Sequence, residues 1–253
     1  MIKIFQITDC HLDKKPNEKD IALKYLLSYI DNECVENKVV FLTGDIANCS
    51  ERLAYERVAE YIGKHSNIKS CYAVAGNHDD VKIMKSCFYG TKIKIANEAL
   101  IDGVRFLFLD TSQKPLGGTL DLGAGRITKK ELYRLKKASR KNEMIIVSHH
   151  PLIKVGGKWF HKIGLENEKQ IEKIIKRRHM VISGHAHDAL SKNEGFIQQF
   201  IRLSSSYGFN HESEEIMRTA DSGMTTYQIE SVGGLPTVVS YEHIRITDSV
   251  TAS

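Results

Sequence analysis

The amino-acid sequence predicts an α/β fold in which two β-sheets pack face to face and helices cover their outer surfaces. Two observations lead to this prediction. Up to Gly184, short apolar segments rich in β-branched residues alternate with longer amphipathic segments, which is the pattern of βαβ units with largely parallel strands. After Gly184, short apolar segments are separated by turns rich in Gly, Ser and Asn, as expected of a second, more antiparallel sheet.

Nine strands are predicted from short apolar runs that end in glycine or polar residues. The six before Gly184 are 2–7, 39–42, 71–75, 104–109, 144–147 and 179–182, and the three after it are 196–203, 224–229 and 236–246. Five helices are predicted between the first strands, at 21–35, 51–65, 82–88, 128–141 and 166–178. In the first helix, leucine and isoleucine recur near the helical period, which predicts one apolar face that packs on a sheet.

The size and composition are those of a soluble globular protein. Of the 253 residues, 42% are hydrophobic and 26% charged, which excludes disordered and collagen-like classes. No apolar run approaches the roughly 18 residues of a membrane helix, and the segment MIKIFQI indicates a strand rather than a signal peptide. We therefore expect a cytoplasmic protein without a membrane partner. Residues 1–246 are predicted to form a single domain, and 247–253 a flexible C-terminal tail.

Cysteine usage and charge narrow the classes of function. The five cysteines are scattered without a C-x-x-C motif, which argues against a disulfide framework and against a cysteine-type zinc site. The net charge of +5 suits an anionic ligand. The basic runs lie on predicted helices and indicate solvated faces, so a nucleic-acid partner is not favoured.

Polar side chains follow five of the predicted strands, at the point where each strand ends. They are Asp9 and His11, then Asp45, then Asn77, His78 and Asp79, then His149 and His150, and finally His185 and His187. In an open α/β sheet the loops at the carboxyl ends of the strands converge on one crevice. We therefore expect these side chains to meet in one place.

The residue types in this set point to metal binding. Carboxylate, amide and imidazole groups without a thiolate suit manganese, iron, zinc or cobalt ions. The Asp-x-His and His-x-His spacings place alternate side chains of an extended segment on the same side. Glycine at positions 44, 76 and 184 lets the backbone turn tightly and approach a bound ion or phosphate closely.

These residues resemble the motifs of the calcineurin-like metallophosphoesterases. That family carries D-x-H, G-D, G-N-H-[DE], H and G-H-x-H in this order, and every block is present between residues 1 and 188: Asp9-Cys10-His11, Gly44-Asp45, Gly76-Asn77-His78-Asp79, His149 and Gly184-His185-Ala186-His187. A chance match of five ordered blocks is improbable. The resemblance implies a four-layer αββα sandwich, in which two mixed sheets are flanked by helices.

The resemblance also implies a role for each residue. Asp9, His11 and His187 are similar to the ligands of one metal ion, Asn77, His149 and His185 to those of a second, and Asp45 to the carboxylate that bridges both. His78 is similar to the histidine that contacts the phosphate and protonates the leaving oxygen, and Asp79 would orient it. Asn77, His78 and His150 would face the substrate. Of the two adjacent histidines, His149 is preferred as the ligand because it directly ends the strand; His150 would lie behind the ligands or face the substrate.

The implied activity is hydrolysis of a phosphoester by a hydroxide that bridges two divalent or transition metal ions, such as Mn²⁺, Fe²⁺ or Fe³⁺, Zn²⁺ or Co²⁺. Within this family, the chain looks most like the bacterial class III cyclic-nucleotide phosphodiesterases, because of its short length and the segments IFQITDCHL, TGDIA and HHP. Such an enzyme would open a 3′,5′-cyclic nucleotide to the monophosphate. The alternatives are another phosphodiesterase or phosphomonoesterase, a nuclease, and a non-catalytic scaffold, against which the complete ligand set argues. A homodimer is left open.

Two segments outside the motifs are candidates for the substrate crevice. Segment 155–165 holds the only tryptophan and several glycines. It predicts either a lid, with Trp159 or Phe160 stacking on a base, or a packed loop whose aromatic side chains enter the core. Segment 204–209 follows a predicted strand and would line the same crevice.

Overall fold

A computed structural model describes residues 1–35, 38–140, 143–233 and 235–247. Its strands, in chain order, are β1 (Ile2–Ile7), β2 (Lys38–Thr43), β3 (Ile68–Val74), β4 (Ile93–Lys94), β5 (Glu98–Ile101), β6 (Val104–Phe108), β7 (Ile145–Val147), β8 (His179–Ser183), β9 (Ser191–Glu194), β10 (Ile197–Ile201), β11 (Gly208–Phe209), β12 (Arg218–Thr219), β13 (Gly223–Val232) and β14 (Leu235–Arg245). Its α-helices are α1 (Glu18–Asn32), α2 (Arg52–Lys64), α3 (Val81–Phe88), α4 (Lys129–Ser139) and α5 (Glu168–Ile174). Beyond Thr247, the predicted tail lies outside the described residues.

Both large sheets are mixed. The first has six strands in the order β14-β13-β1-β2-β3-β4, with parallel pairs from β1 to β4 and antiparallel pairs at β13 and β14. The second has six in the order β5-β6-β7-β8-β10-β9, with a parallel centre and an antiparallel strand at each edge. Strands β11 and β12 form a separate two-stranded hairpin.

The alternation of side chains along the strands explains the layers. In β1, Ile2 and Ile4 enter the core between the sheets, while Phe5 and Ile7 belong to the core beneath the helices of the first sheet. A third buried cluster, which includes Leu135 of α4 and Ile171 of α5, covers the outer face of the second sheet. The predicted αββα sandwich is therefore confirmed, while the single-domain assignment stays a prediction.

Helix α1 begins three residues before the predicted position because of its cap. The side chain of Asn17 accepts a hydrogen bond from the backbone N–H of Lys19, and the carboxylate of Asp20 accepts one from the backbone N–H of Asn17. This reciprocal arrangement is a capping box. The sequence prediction started from the first apolar residue, Ile21, and so missed the polar first turn.

None of the helices in the described part of the chain is long and apolar enough to cross a membrane. Helix α5 is shorter than its predicted span of 166–178, since it ends at Ile174. The two-residue strands β4, β11 and β12 and the exposed strand β9 were not predicted, because they are too short or too exposed to show the alternation on which strand prediction relies. The four-residue edge strand β5 was not predicted either.

Candidate metal centre

The polar side chains predicted to converge do so at one edge of the sandwich. They follow β1, β2 and β3 of the first sheet and β7 and β8 of the second. Among the described residues, four overlapping groups of His and Asp side chains have ligand atoms within 4.8 Å of one another. Those groups include His78, His150 and all predicted metal ligands that are His or Asp; none of the other histidines (His65, His161, His179, His211 and His243) belongs to one.

Asp9, His11 and His187 form the first half of the centre. The Nε2 atom of His187 lies 3.1 Å from Oδ1 of Asp9 and 3.1 Å from Nε2 of His11. The Nδ1–H group of His187 donates a hydrogen bond to the Tyr207 carbonyl oxygen at 2.8 Å. A carbonyl partner of this kind sets the tautomer of a metal-binding histidine. It leaves the lone pair of Nε2 directed at Asp9 and His11.

His149, His185 and Asn77 form the second half. The Nδ1–H group of His149 donates to the Thr43 carbonyl oxygen at 2.9 Å, and its Nε2 atom lies 3.1 Å from Oδ1 of Asn77. His185 uses its other nitrogen, because Nε2–H donates to the Ile163 carbonyl oxygen at 2.8 Å. Each imidazole therefore has one nitrogen anchored on the backbone and the other free to bind a cation.

Asp45 lies between the two halves. Its Oδ2 atom is 3.7 Å from Nε2 of His11 and 3.4 Å from Nε2 of His149. Its other oxygen, Oδ1, accepts a hydrogen bond from the backbone N–H of His78 at 2.8 Å. One carboxylate thus reaches an imidazole from each half-site.

The two histidines of the HHP segment have different partners. His150 is fully buried, with Nε2 3.0 Å from the Gly123 carbonyl oxygen and Nδ1 2.9 Å from the hydroxyl of Thr111. The ring nitrogens of His150 lie near those of His149 and His185. However, both ring nitrogens of His150 already have hydrogen-bond partners. Of the two positions predicted for His150, the structure agrees with the one behind the ligands and corrects the substrate-facing one: its side chain supports the loop behind the centre.

The electrostatics of the centre fit a bound cation. Burial raises the pKa of Asp45, but the charge and hydrogen bond of His149 together with the charge of His11 outweigh burial and hold that pKa well below its usual range. Burial lowers the pKa of His149, yet the charges of Asp45 and Asp9 raise it to about 9. Burial lowers the pKa of His11 to about 3, although the negative charge of Asp45 acts to raise it. Ionised carboxylates thus share a buried site with several imidazole groups, and this donor set suits divalent first-row metals.

The backbone around these ligands is strained. Seven non-glycine residues in the described part of the chain have positive φ, and five of them are predicted ligands: Asp9 at 54°, His11 at 45°, Asp45 at 48°, His185 at 71° and His187 at 52°. Left-handed φ values cost a non-glycine residue of order 1–3 kcal/mol and persist where the surroundings enforce them. The strain turns successive side chains towards one point.

Close packing, rather than a tight turn, explains two of the three glycines in the motifs. Gly44 has φ of 95°, but neither Gly76 nor Gly184 has positive φ. A Cβ atom at Gly76 would lie 2.5 Å from the backbone nitrogen of Asp45, and one at Gly184 would lie 2.5 Å from Oδ2 of Asp9. These glycines let the backbone approach the ligand side chains closely.

Replacing Gly76 by alanine is therefore expected to destabilise the protein by about 1–3 kcal/mol, the usual cost of an overpacked site, and to weaken metal binding. The matched control is Gly63→Ala, because a Cβ atom at Gly63, inside α2, meets nothing within 4 Å. That variant is expected to gain up to about 1 kcal/mol of helix stability. Urea unfolding measures both, and equal stabilities of the two variants would contradict the packing argument.

His78 is the exposed member of the centre. Its ring centroid lies 4.8 Å from that of His11, edge to face. Its Nδ1–H group donates to the backbone carbonyl oxygen of Asn48 at 2.6 Å. The carbonyl of Asn48 therefore orients the ring and leaves Nε2 on the open side.

The predicted orienting role of Asp79 is corrected by this contact. The Asp79 carboxylate instead accepts hydrogen bonds from three backbone N–H groups, those of Gly76, Ile46 and Ala47, and from the hydroxyl of Tyr55. Burial and the charge of Asp45 raise the pKa of Asp79 to about 6. Asp79 ties the loop after β3 to the loop after β2.

Segment 155–165 packs as a loop and supports the centre from below. Trp159 and Phe160 are buried in the core outside the second sheet, and the Trp159 ring stacks on His211 with centroids 4.9 Å apart. Their rings are therefore not available to stack on a base. The segment contributes the Ile163 carbonyl that anchors His185.

Segment 204–209 contacts the first half of the centre, in agreement with its predicted position. The hydroxyl groups of Ser204 and Ser206 donate to the backbone carbonyl oxygen of Asp9 at 3.0 and 2.7 Å. The Tyr207 ring stacks on that of His11 with centroids 5.5 Å apart. The sequence analysis missed Thr8, whose hydroxyl donates a hydrogen bond to Oδ2 of Asp9 at 2.6 Å. The position of Thr8 directly before the first predicted ligand could have indicated this role.

A four-layer sandwich with a buried carboxylate and imidazole centre at its strand ends is the architecture of a metal-dependent phosphoesterase. A model of the family described as calcineurin-like phosphoesterase matches residues 2–189. The chain belongs to this family, and the protein is a metal-dependent phosphoesterase.

Two relatives and one solved structure describe its similarities. The chain is 26% identical over 252 residues to the 3′,5′-cyclic adenosine monophosphate phosphodiesterase CpdA of Vibrio vulnificus, with 94% of this chain and 89% of that protein covered. It is 22% identical over 224 residues to a 3′,5′-cyclic-nucleotide phosphodiesterase of Nostoc sp., with 84% and 81% covered. GAP50, the anchor in the inner membrane complex of Plasmodium, superposes with a TM-score of 0.57 at 15% identity, covering 98% of this chain and 89% of that chain. This last similarity shows the fold alone.

Proposed function

We propose that the protein uses two divalent metal ions to hydrolyse a 3′,5′-cyclic nucleotide to the nucleoside monophosphate. The observation that carries the dinuclear part is the position of Asp45, whose Oδ2 atom lies 3.4 and 3.7 Å from imidazole nitrogens of the two half-sites. The names of the relatives, cyclic-nucleotide phosphodiesterases in both cases, support the substrate class.

In this proposal Asp9, His11 and His187 hold one ion, Asn77, His149 and His185 hold the other, and Asp45 bridges them. The proposal gives His149, not His150, the ligand role, because only His149 has a ring nitrogen without a backbone or hydroxyl partner. When bound, two divalent ions would make hydroxide available near neutral pH and offset the charge of the phosphoryl oxygens.

His78 serves as the general acid. Its Nδ1–H group already donates to the Asn48 carbonyl oxygen, so the transferable proton is the one on Nε2. The ring keeps its Nδ1–H hydrogen bond to this carbonyl before and after the transfer. His78 thus moves a proton from Nε2 to the leaving 3′ or 5′ oxygen without changing its orientation. Proton transfer of this kind contributes roughly 10²–10⁴-fold to a rate.

An activity panel on the metal-reconstituted protein tests the proposal. We expect cyclic mononucleotides to be hydrolysed with the highest kcat/KM, ahead of cyclic dinucleotides, phosphomonoesters and single-stranded DNA. A chelator should abolish the activity, and added Mn²⁺ should restore it. A strong preference for DNA would overturn the substrate assignment. Failure both to bind metal and to hydrolyse bis(p-nitrophenyl) phosphate would indicate a scaffold instead.

A further inference from the structure

A pocket of about 290 Å³ opens beside the metal centre. Its lining includes Lys19, Asn48, Ser206, Tyr207 and Arg218. Two of these residues also touch the centre: the Asn48 carbonyl holds His78, and the Tyr207 ring stacks on His11. The pocket is therefore adjacent to the metal centre.

Tyr207 and Arg218 are held together by the β11–β12 hairpin. Phe209, two residues after Tyr207, pairs with Arg218 across the hairpin. The guanidinium carbon of Arg218 lies 4.1 Å from the centroid of the Tyr207 ring, within the range of a cation–π contact. The Tyr207 ring also lies 4.5 Å from His187, centroid to centroid. Tyr207 therefore links Arg218 to the first half of the metal centre.

The guanidinium of Arg218 is exposed and contacts the Tyr207 side chain. It forms no ion pair with a carboxylate in the described part of the chain. The other cation, Lys19, is already engaged: its Nζ atom lies 2.8 Å from Oδ2 of Asp13 and 3.0 Å from the His11 carbonyl oxygen. Arg218 therefore offers a charged planar surface that Lys19 does not.

We propose that the nucleobase of the substrate stacks on the guanidinium plane of Arg218, with Tyr207 as the residue that positions this plane. The inference rests on the proposed function, because it requires a nucleotide substrate. Planar guanidinium groups and aromatic rings are common platforms for bases. Arg218 lies 4.1 Å from Tyr207, whose ring lies 5.5 Å from that of His11. Arg218 is therefore one side chain away from the first half of the metal centre, as the base of a nucleotide is one sugar away from its phosphate.

The test compares two substrates that differ only in the base: adenosine 3′,5′-cyclic phosphate and 1-deoxyribose 3′,5′-cyclic phosphate. Wild-type protein should prefer the adenosine compound by roughly 5- to 150-fold in kcat/KM, the range of base stacking. Arg218→Ala should bring this preference close to one, mainly through KM. Arg218→Lys should do the same, because lysine keeps the charge but lacks the plane. Arg105→Ala, which removes an arginine paired with Glu98 on the second sheet, should keep the full preference.

Each other outcome contradicts the inference. An unchanged preference in Arg218→Ala would show that the base binds elsewhere. Full retention by Arg218→Lys would reduce the role of Arg218 to its charge. An unchanged preference contradicts the inference also where both substrates lose activity equally, and metal content and thermal unfolding of the variant then show whether the common loss is a structural defect. Hydrolysis of neither cyclic phosphate by the wild type would overturn the proposed function, and this inference with it.

Discussion

The Asp45→Ala variant is expected to lose most of its bound metal and nearly all of its turnover. The carboxylate of Asp45 reaches an imidazole nitrogen from each half-site, at 3.4 and 3.7 Å. In the proposed centre two ions share this ligand, so its removal should weaken the binding of both and leave their charges less balanced. Loss of a supporting group behind a ligand costs about 10- to 100-fold in metal affinity, so loss of a shared ligand should cost more. Elemental analysis after dialysis measures the effect.

Two further variants separate metal binding from folding. Asp45→Asn keeps an oxygen that can accept the hydrogen bond from the His78 backbone, which Asp45 accepts at 2.8 Å, but removes the charge. It should therefore fold like the wild type and still bind less metal. Asp80→Ala removes a carboxylate that caps α3 and lies outside the candidate metal groups of the described residues. It should retain both ions. An Asp45→Ala protein with two metal ions per chain would refute the bridge.

The His78→Ala variant is expected to keep its metal content and lose about 10²–10⁴-fold in turnover of a cyclic nucleotide. The expectation follows from the exposed ring of His78, which is oriented by the Asn48 carbonyl and available to protonate an alkoxide. A p-nitrophenyl ester should lose much less, since its leaving group departs without a proton. The ratio of the two losses, from steady-state kinetics, reports the general-acid role.

Metal analysis of the same variant excludes a competing role. His11, Asp45 and His78 have ligand atoms within 4.8 Å of one another, so His78 is also placed to bind an ion. Loss of one metal per chain in His78→Ala would make it a ligand. Equal losses of turnover on both esters, with metal retained, would leave it a substrate-positioning residue. Unchanged turnover of the cyclic nucleotide would remove His78 from the mechanism.

The convergence of the site was predictable because it follows from a general property of parallel sheets. Asp9, Asp45 and His149 each end an apolar run, and the ends of such runs meet at one edge. Side-chain type and position at a strand end are both visible in a sequence. The burial and opposing charges that set the pKa values of these residues could not be read from it, because they depend on contacts between distant segments.

Interactions made by backbone groups were not predictable. His78 is oriented by the carbonyl of Asn48, and Asp79 is held by backbone N–H groups. Such contacts depend on the path of the loop and not on the types of the residues. The orienting role was therefore assigned to the neighbouring carboxylate, that of Asp79. The β11–β12 hairpin was missed for another reason. Its strands have two residues each, too few for a period of two to be recognised.

The most direct test of the central claim is the number and coupling of metal ions in the wild-type protein. After reconstitution with Mn²⁺, elemental analysis should give two ions per chain, and electron paramagnetic resonance should show an exchange-coupled pair, as expected for ions about 3.5–4 Å apart. A single ion per chain, or two ions with uncoupled spectra, would contradict a centre in which Asp45 joins the two half-sites.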